Sequence, residues 1–139
     1  MNRITDLSSI KIKLAILWLF VVVTNLAIVT LTFVAPGVID DIRGGHVLGA
    51  QIGPDLLLVI AVTYFWVPAV LAVLSILLKD SINRWVNLAG GILYTVFILN
   101  ELVSNIIKMS YIFGMFLQVS IIFVLVLIIW HSWKLTGKS

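Results

Sequence analysis

The sequence predicts an all-α integral membrane four-helix bundle, N-in and C-in, with one long outer loop. Three observations carry that prediction. The 139 residues are 62% hydrophobic and only 11% charged, whereas a soluble domain is nearer half apolar and a quarter charged. Mean hydropathy is +1.21. Four apolar runs are each long enough to cross a bilayer, and the basic residues crowd one side of them.

The first run, Leu14 to Ala35, has 22 residues between Lys11-x-Lys13 and Pro36-Gly37. It is too long for a signal-peptide core and lacks an A-x-A-like cleavage site, so it reads as a retained span. Leu56 to Leu78 gives 23 residues between Asp55 and Lys79. Trp85 to Ile107 gives another 23, interrupted only by Glu101, and Met109 to Trp133 gives 25, ending at Lys134. About 20 apolar residues cross a hydrocarbon core as a helix. Barrel strands would alternate apolar and polar residues, and the run from Ile121 to Ile129 does not. The predicted spans are therefore 14–35, 56–78, 85–107 and 109–133, within a single domain over 1–139.

Basic residues set the orientation. With cytoplasmic termini, that side holds Arg3, Lys11, Lys13, Lys79, Arg84, Lys134 and Lys138, seven in all, against Arg43 and Lys108 outside. Trp18, Trp85, Trp130 and Trp133 fall near the inner boundary, where amphipathic rings prefer to lie. Trp66 is mid-span and is assigned to packing within the bundle. His131, beside Trp130, reads as an interfacial anchor. The net charge of +3 does not point to nucleic acid, because the basic residues form no stripe along which a phosphate backbone could run.

The connections are unequal. Lys79 to Arg84 is a tight inner turn, and the outer link around Lys108 is nearly nothing. Residues 36–55 form the only long loop, with Val38 to Arg43 able to make a helical turn and Val47 to Ile52 an interfacial segment. So long a loop in a compact protein is expected to pack over the outer mouth of the bundle.

On the third span, Asn87, Gly91, Tyr94, Ile98, Glu101, Asn105 and Lys108 recur at steps of four and three, which places them on one face. Polar groups are costly against lipid, so this face should turn inward. Asn25 on the first span, Tyr64 and Pro68 on the second and Gln118 on the fourth are its available partners. The candidate intramembrane polar site is therefore Glu101, Asn105, Lys108, Tyr94, Asn87, Asn25 and Gln118. Gly91-x-x-x-Thr95 and Ser110-x-x-x-Gly114 have the small-xxx-small spacing of close helix contacts. Pro68 should kink the second span around Tyr64.

Glu101 is the single acid within a predicted span, and two readings stay open. It is a proton carrier, cation site or substrate anchor. Alternatively, lying 16 residues and so roughly 24 Å beyond Trp85, it reaches the outer headgroups and pairs with Lys108 through Asn105. Asn25 and Gln118 read as interhelical hydrogen-bonding groups. Asp40, Asp41, Arg43, His46 and Asp55 crowd the outer loop, either as an outward-facing site above Glu101 or simply as solvated side chains.

No catalytic signature is present: no G-x-S-x-G, no H-E-x-x-H and no Walker loop. There is no cysteine and the two histidines lie far apart, so no metal site and no cofactor is assigned.

The chain resembles small four-span prokaryotic membrane proteins grouped only as a domain-of-unknown-function family. The likeness covers about residues 11 to 135 and rests on Leu17-Trp18, Pro36-Gly37, Gly49, Ile52, Pro54 and Pro68. It continues with Asn83-Arg84-Trp85-x-Asn87-x-x-Gly90, its most distinctive part, and Ile128-Ile129-Trp130-x-x-Trp133-Lys134. The resemblance implies a multi-pass location and no particular activity. Some relatives carry an acid in the first span, and this chain has none between Leu14 and Ala35.

Two functions compete. One is an interaction or structural component of the membrane, a small bundle partnering the lipid bilayer, a second copy or a larger complex. The other is a proton- or cation-coupled small-molecule transporter or channel subunit using Glu101. An enzyme is the weaker expectation.

Overall fold

The computed structural model describes residues 3–47, 49–108 and 112–135. Helix α1 (Arg3–Phe33) leads to a connection holding the short helix α2 (Val38–Arg43) and a hairpin of β1 (His46–Val47) and β2 (Ala50–Gln51). The second long helix has three parts: α3 (Pro54–Ile60), a π-helical segment (Ala61–Trp66) and α4 (Val67–Leu77). Then come α5 (Asp80–Ile107) and α6 (Ile112–Lys134). Among the described residues four helices are long and apolar enough to cross a membrane: Thr5–Phe33, Pro54–Leu77, Asp80–Ile107 and Ile112–Lys134. The fold is the all-α four-helix arrangement that the apolar runs predict.

The helices overrun those runs. Helix α1 starts at Arg3 rather than Leu14, because nothing between Thr5 and Lys13 breaks a helix, and Leu7 and Ile10 pack against the core. Helix α5 starts at Asp80, so Asn83 and Arg84 are helical and the expected turn shrinks to Leu78 and Lys79, both extended. Lys11 secures this turn: its Nζ donates to Leu78 O at 2.8 Å and pairs with Asp80 at 2.8 Å. Met109, Ser110 and Lys138, which entered the expectations above, lie outside the described residues.

Helix α1 packs along α4 and α6, and α5 packs along α6 and, more lightly, α4. That order makes a ring, with α1 and α5 facing each other across its middle. Residues 14, 18, 21 and 25 on α1, 87, 91, 94 and 98 on α5, and 118, 121, 125, 128 and 132 on α6 are buried. Their steps of three and four are those of a left-handed bundle seam. Large apolar side chains off the seam, such as Phe20, Leu93 and Phe123, are exposed, as suits helices surrounded by hydrocarbon.

Two glycines let α5 approach its neighbours. A Cβ on Gly90 would lie 3.0 Å from Leu71, and one on Gly91 would lie 3.0 Å from Ile129. The Gly91-x-x-x-Thr95 spacing thus serves the α5–α6 contact, with Thr95 Oγ1 donating to Gly91 O at 2.6 Å.

Two tryptophans stand where the sequence did not place them. Trp18, expected in the interfacial belt, is 0% exposed and lies at the centre of the core. Trp66, expected to pack inside, is 61% exposed on the outer side of the π-helical segment. Both reversals reflect helix phase: Trp18 falls on the seam with Leu14 and Val21, and Trp66 falls off it. Trp85, Trp130 and Trp133 are exposed.

The connection covers the end of the bundle opposite the chain termini. Val38 is buried, and Val47 and Ala50 line a cleft there. The 47–52 stretch is part of a hairpin: His46 pairs with Gln51 and Val47 with Ala50. Gly49, at φ +82°, takes the left-handed conformation that so tight a turn requires.

Candidate functional site

The candidate site begins with a proline. Pro68 has no N–H, so the carbonyl of Tyr64, four residues earlier, loses its usual helical partner. The backbone widens here into the π-helical segment, one turn ahead of the proline. The freed carbonyls are taken by side chains from other helices. Asn25 Nδ2 donates to Tyr64 O at 2.8 Å, and Tyr94 Oη donates to Thr63 O at 2.8 Å. Asn25 Nδ2 also donates to Tyr94 Oη at 2.9 Å. A break in a spanning helix is tolerated where neighbours satisfy its backbone, and α1 and α5 do so here.

The widened segment aims Tyr64 at α5. Its Oη donates to Glu101 Oε1, and its ring meets Phe97 edge-on at 5.8 Å between centroids. Gln118 Nε2, on α6, lies 3.5 Å from Glu101 Oε2, and Asn105 Nδ2 donates to Gln118 Oε1 at 3.1 Å. Three elements thus converge on one carboxyl group. Glu101 is half-buried, six residues before the end of α5 and so about 9 Å inside it.

Above this group opens a cleft of about 490 Å³. Its walls include Ile28 and Phe33 of α1, Leu56, Leu57 and Ile60 of α3 and Gly114 of α6, and the hairpin contributes Val47 and Ala50. Glu101, Tyr64, Asn105 and Gln118 supply polar groups, and Asn100, Ser104 and Lys108 also line the cleft. Mostly apolar walls with a few convergent polar groups are the usual composition of a small-molecule site, and the volume lies in the usual range.

Lys108 departs from expectation. It is exposed at the end of α5, and the ion pairs among the described residues join Lys11 to Asp80 and Arg43 to Asp40. The anticipated Glu101–Lys108 link through Asn105 is not formed; Asn105 reaches Gln118 instead. Lys108 follows the last residue of α5, one turn beyond Ser104, at the edge of the cleft.

Asn87 belongs to a separate cluster at the terminal end. Trp18 Nε1 donates to Asn87 Oδ1 at 2.6 Å, and Ser75 Oγ lies 2.9 Å from the same oxygen. Asn87 Nδ2 donates to Asn83 O at 3.0 Å, and Asn83 Nδ2 donates to Ser75 O at 2.6 Å. Ser75 O belongs to the last turn of α4, where carbonyls lack helical partners, so Asn83 caps that helix from α5.

The seven sequence-selected residues therefore separate. Glu101, Asn105 and Gln118 meet in one cluster, Asn25 and Tyr94 brace the break beside it, Lys108 lies at the cleft rim, and Asn87 sits elsewhere. Tyr64 joins the carboxyl group directly, and its place four residues before Pro68 was the signal that could have promoted it. The outer-loop residues stay dispersed: Arg43 pairs with Asp40 at 3.5 Å, and His46 Nδ1 lies 2.9 Å from Gly44 O. Among the described residues no three histidine, aspartate or glutamate side chains group as a metal site would need.

Residues 5–137 match a sequence family described as a family of unknown function, DUF6326. The chain belongs to that family. No curated protein and no solved structure matches it. For this DUF6326 chain the cleft, not a named relative, has to carry the functional reading.

Proposed function

We propose that the chain is a multi-pass protein of the cell membrane, with both termini cytoplasmic. Its cleft binds a small, largely apolar molecule through a basic or hydrogen-bond-donating group. Glu101 carries this reading. It is a half-buried carboxyl group at the base of an apolar cleft, and among the described residues no basic side chain pairs with it. An ionised carboxylate in such surroundings is costly unless a counter-charge or a proton satisfies it. Tyr64 and Gln118 hold the group in place, and the cleft gives a ligand access to it. Binding of this kind is the opening step of cation- or proton-coupled transport, the activity that best fits the site.

Titration of the protein in nanodiscs with a lipophilic tertiary amine and its neutral carbon isostere tests the reading. The amine should bind, and Glu101→Gln should weaken it by about tenfold, as expected for loss of a charge-assisted bond, while leaving the isostere unaffected. Equal binding of the amine to both proteins would sink the proposal.

The alternative role as an interaction component draws on small-residue faces. Gly90 and Gly91 are taken up by Leu71 and Ile129 of the same chain, so that motivation is largely spent within the bundle.

A further inference from the structure

Arg84, at the opposite end from the cleft, has an unusual environment. Its guanidinium carbon lies 4.7 Å from the ring centroid of Trp133 on α6 and 5.5 Å from that of Trp85 on α5. No carboxylate or carbonyl accepts from it among the described residues, and its Nε is enclosed without a hydrogen-bond partner. Beside it, Lys134 Nζ lies 4.9 Å from the Trp130 ring. Asp80, an acid at this end, is engaged by Lys11. Aromatic faces satisfy a guanidinium from above and below but not along its in-plane N–H edge. Among the described residues nothing answers the positive charge on the terminal nitrogens of Arg84, which is flanked by three exposed tryptophans and a second cation.

We propose that Arg84, Trp85, Trp133 and Lys134 form a binding site for an anionic phospholipid headgroup. The phosphodiester accepts from the terminal nitrogens of Arg84, and the acyl chains lie along the exposed apolar surface of α5 and α6. Phosphate oxygens match the planar guanidinium fork, and Lys134 adds a point charge beside it. Tryptophan rings at headgroup depth are at home beside both the headgroup and the upper acyl chain. The site is independent of the cleft and does not rest on the reading of Glu101.

Native mass spectrometry of the full chain, equilibrated in neutral detergent with equimolar phosphatidylglycerol and phosphatidylcholine, tests it. The wild type should retain phosphatidylglycerol over phosphatidylcholine by about tenfold, the scale of a charge-assisted bond. Arg84→Gln should bring that ratio close to one. Arg84→Lys, which keeps charge but loses the fork, and Trp133→Ala, which keeps the charge but loses a ring, should fall between. Lys79→Gln, removing an exposed cation at the same end, should leave the ratio unchanged. An undiminished preference in Arg84→Gln overturns the site, and so does an equal loss in Lys79→Gln. Arg84-dependent binding of inorganic phosphate to lipid-free protein, without lipid preference, overturns the assignment to a lipid.

Discussion

The two ends of the bundle use similar side chains for opposite purposes. At the terminal end, Trp18, Ser75, Asn83 and Asn87 close a network in which neutral groups satisfy one another, with Trp18, Ser75, Asn83 and Asn87 all 0% exposed. At the loop end, Tyr64, Gln118 and Asn105 surround a carboxyl group that faces a cleft. A buried polar network is valuable when complete and costly when partly satisfied. The closed cluster is therefore suited to fix helix register, and the open one to receive something from outside. Both contain an amide on α5, so the amide alone does not separate them. What separates them is that one network is sealed among neutral groups and the other ends on a carboxyl group open to the cleft.

The largest effect should come from damaging the closed cluster. Asn87→Leu orphans Trp18 Nε1 and removes partners from Ser75 and Asn83, and should cost about 2–3 kcal/mol. Unfolding in mixed micelles measures this, while folded molecules should bind the cleft ligand as before. A variant as stable as the wild type would erase the contrast between the ends.

A smaller effect tests the brace between them. Asn25→Leu withdraws the donor from Tyr64 O and should cost about 1–2 kcal/mol. Pro68→Ala returns a backbone N–H that can bond the same carbonyl. In that background the Asn25 substitution should cost about 1 kcal/mol less, a coupling that a double-mutant cycle resolves. Additive losses would mean that Asn25 does not stand in for the missing amide.

The smallest stability change belongs to Glu101. Glu101→Gln keeps an acceptor for Tyr64 and should alter unfolding free energy by no more than about 0.5 kcal/mol, while amine binding should weaken about tenfold. A loss as large as that of Asn87→Leu would show the carboxyl group to be a structural part like its counterpart.

Much of the architecture is legible in the chain. The apolar runs mark all four helices, and steps of four and three from Asn87 to Asn105 mark the inward face of α5, because lipid penalises polar groups on any other face. Position along a span proved weaker than phase around it: Trp18 and Trp66 were assigned by depth, whereas the seam decides which is buried. Helix ends were harder because an apolar run records where hydrocarbon begins, not where the backbone ladder stops, as the turns around Asp6 and Asn83 illustrate. The hairpin at 46–51 is too short for alternation to register. The site was legible as a face and not as a cluster. One helix face of residues from Asn87 to Lys108 extends farther than any one group of partners can reach, so its polar members divide among four environments. The link from Pro68 through Tyr64 O to Asn25 joins residues 39 positions apart in sequence, which local spacing does not encode.

The bulge at Ala61–Trp66 also fixes an azimuth. A π-helical turn is equivalent to an α-helix holding one surplus residue, and each residue advances a helix by about 100°. Deleting one residue there would straighten the ladder yet leave Leu56, Leu57 and Ile60 facing as they do, because the widened turn already absorbs the surplus; closing the bulge with the residue retained would instead swing them by about 100° relative to α4. The cleft therefore keeps its wall because one turn is wide enough to hide an extra amino acid.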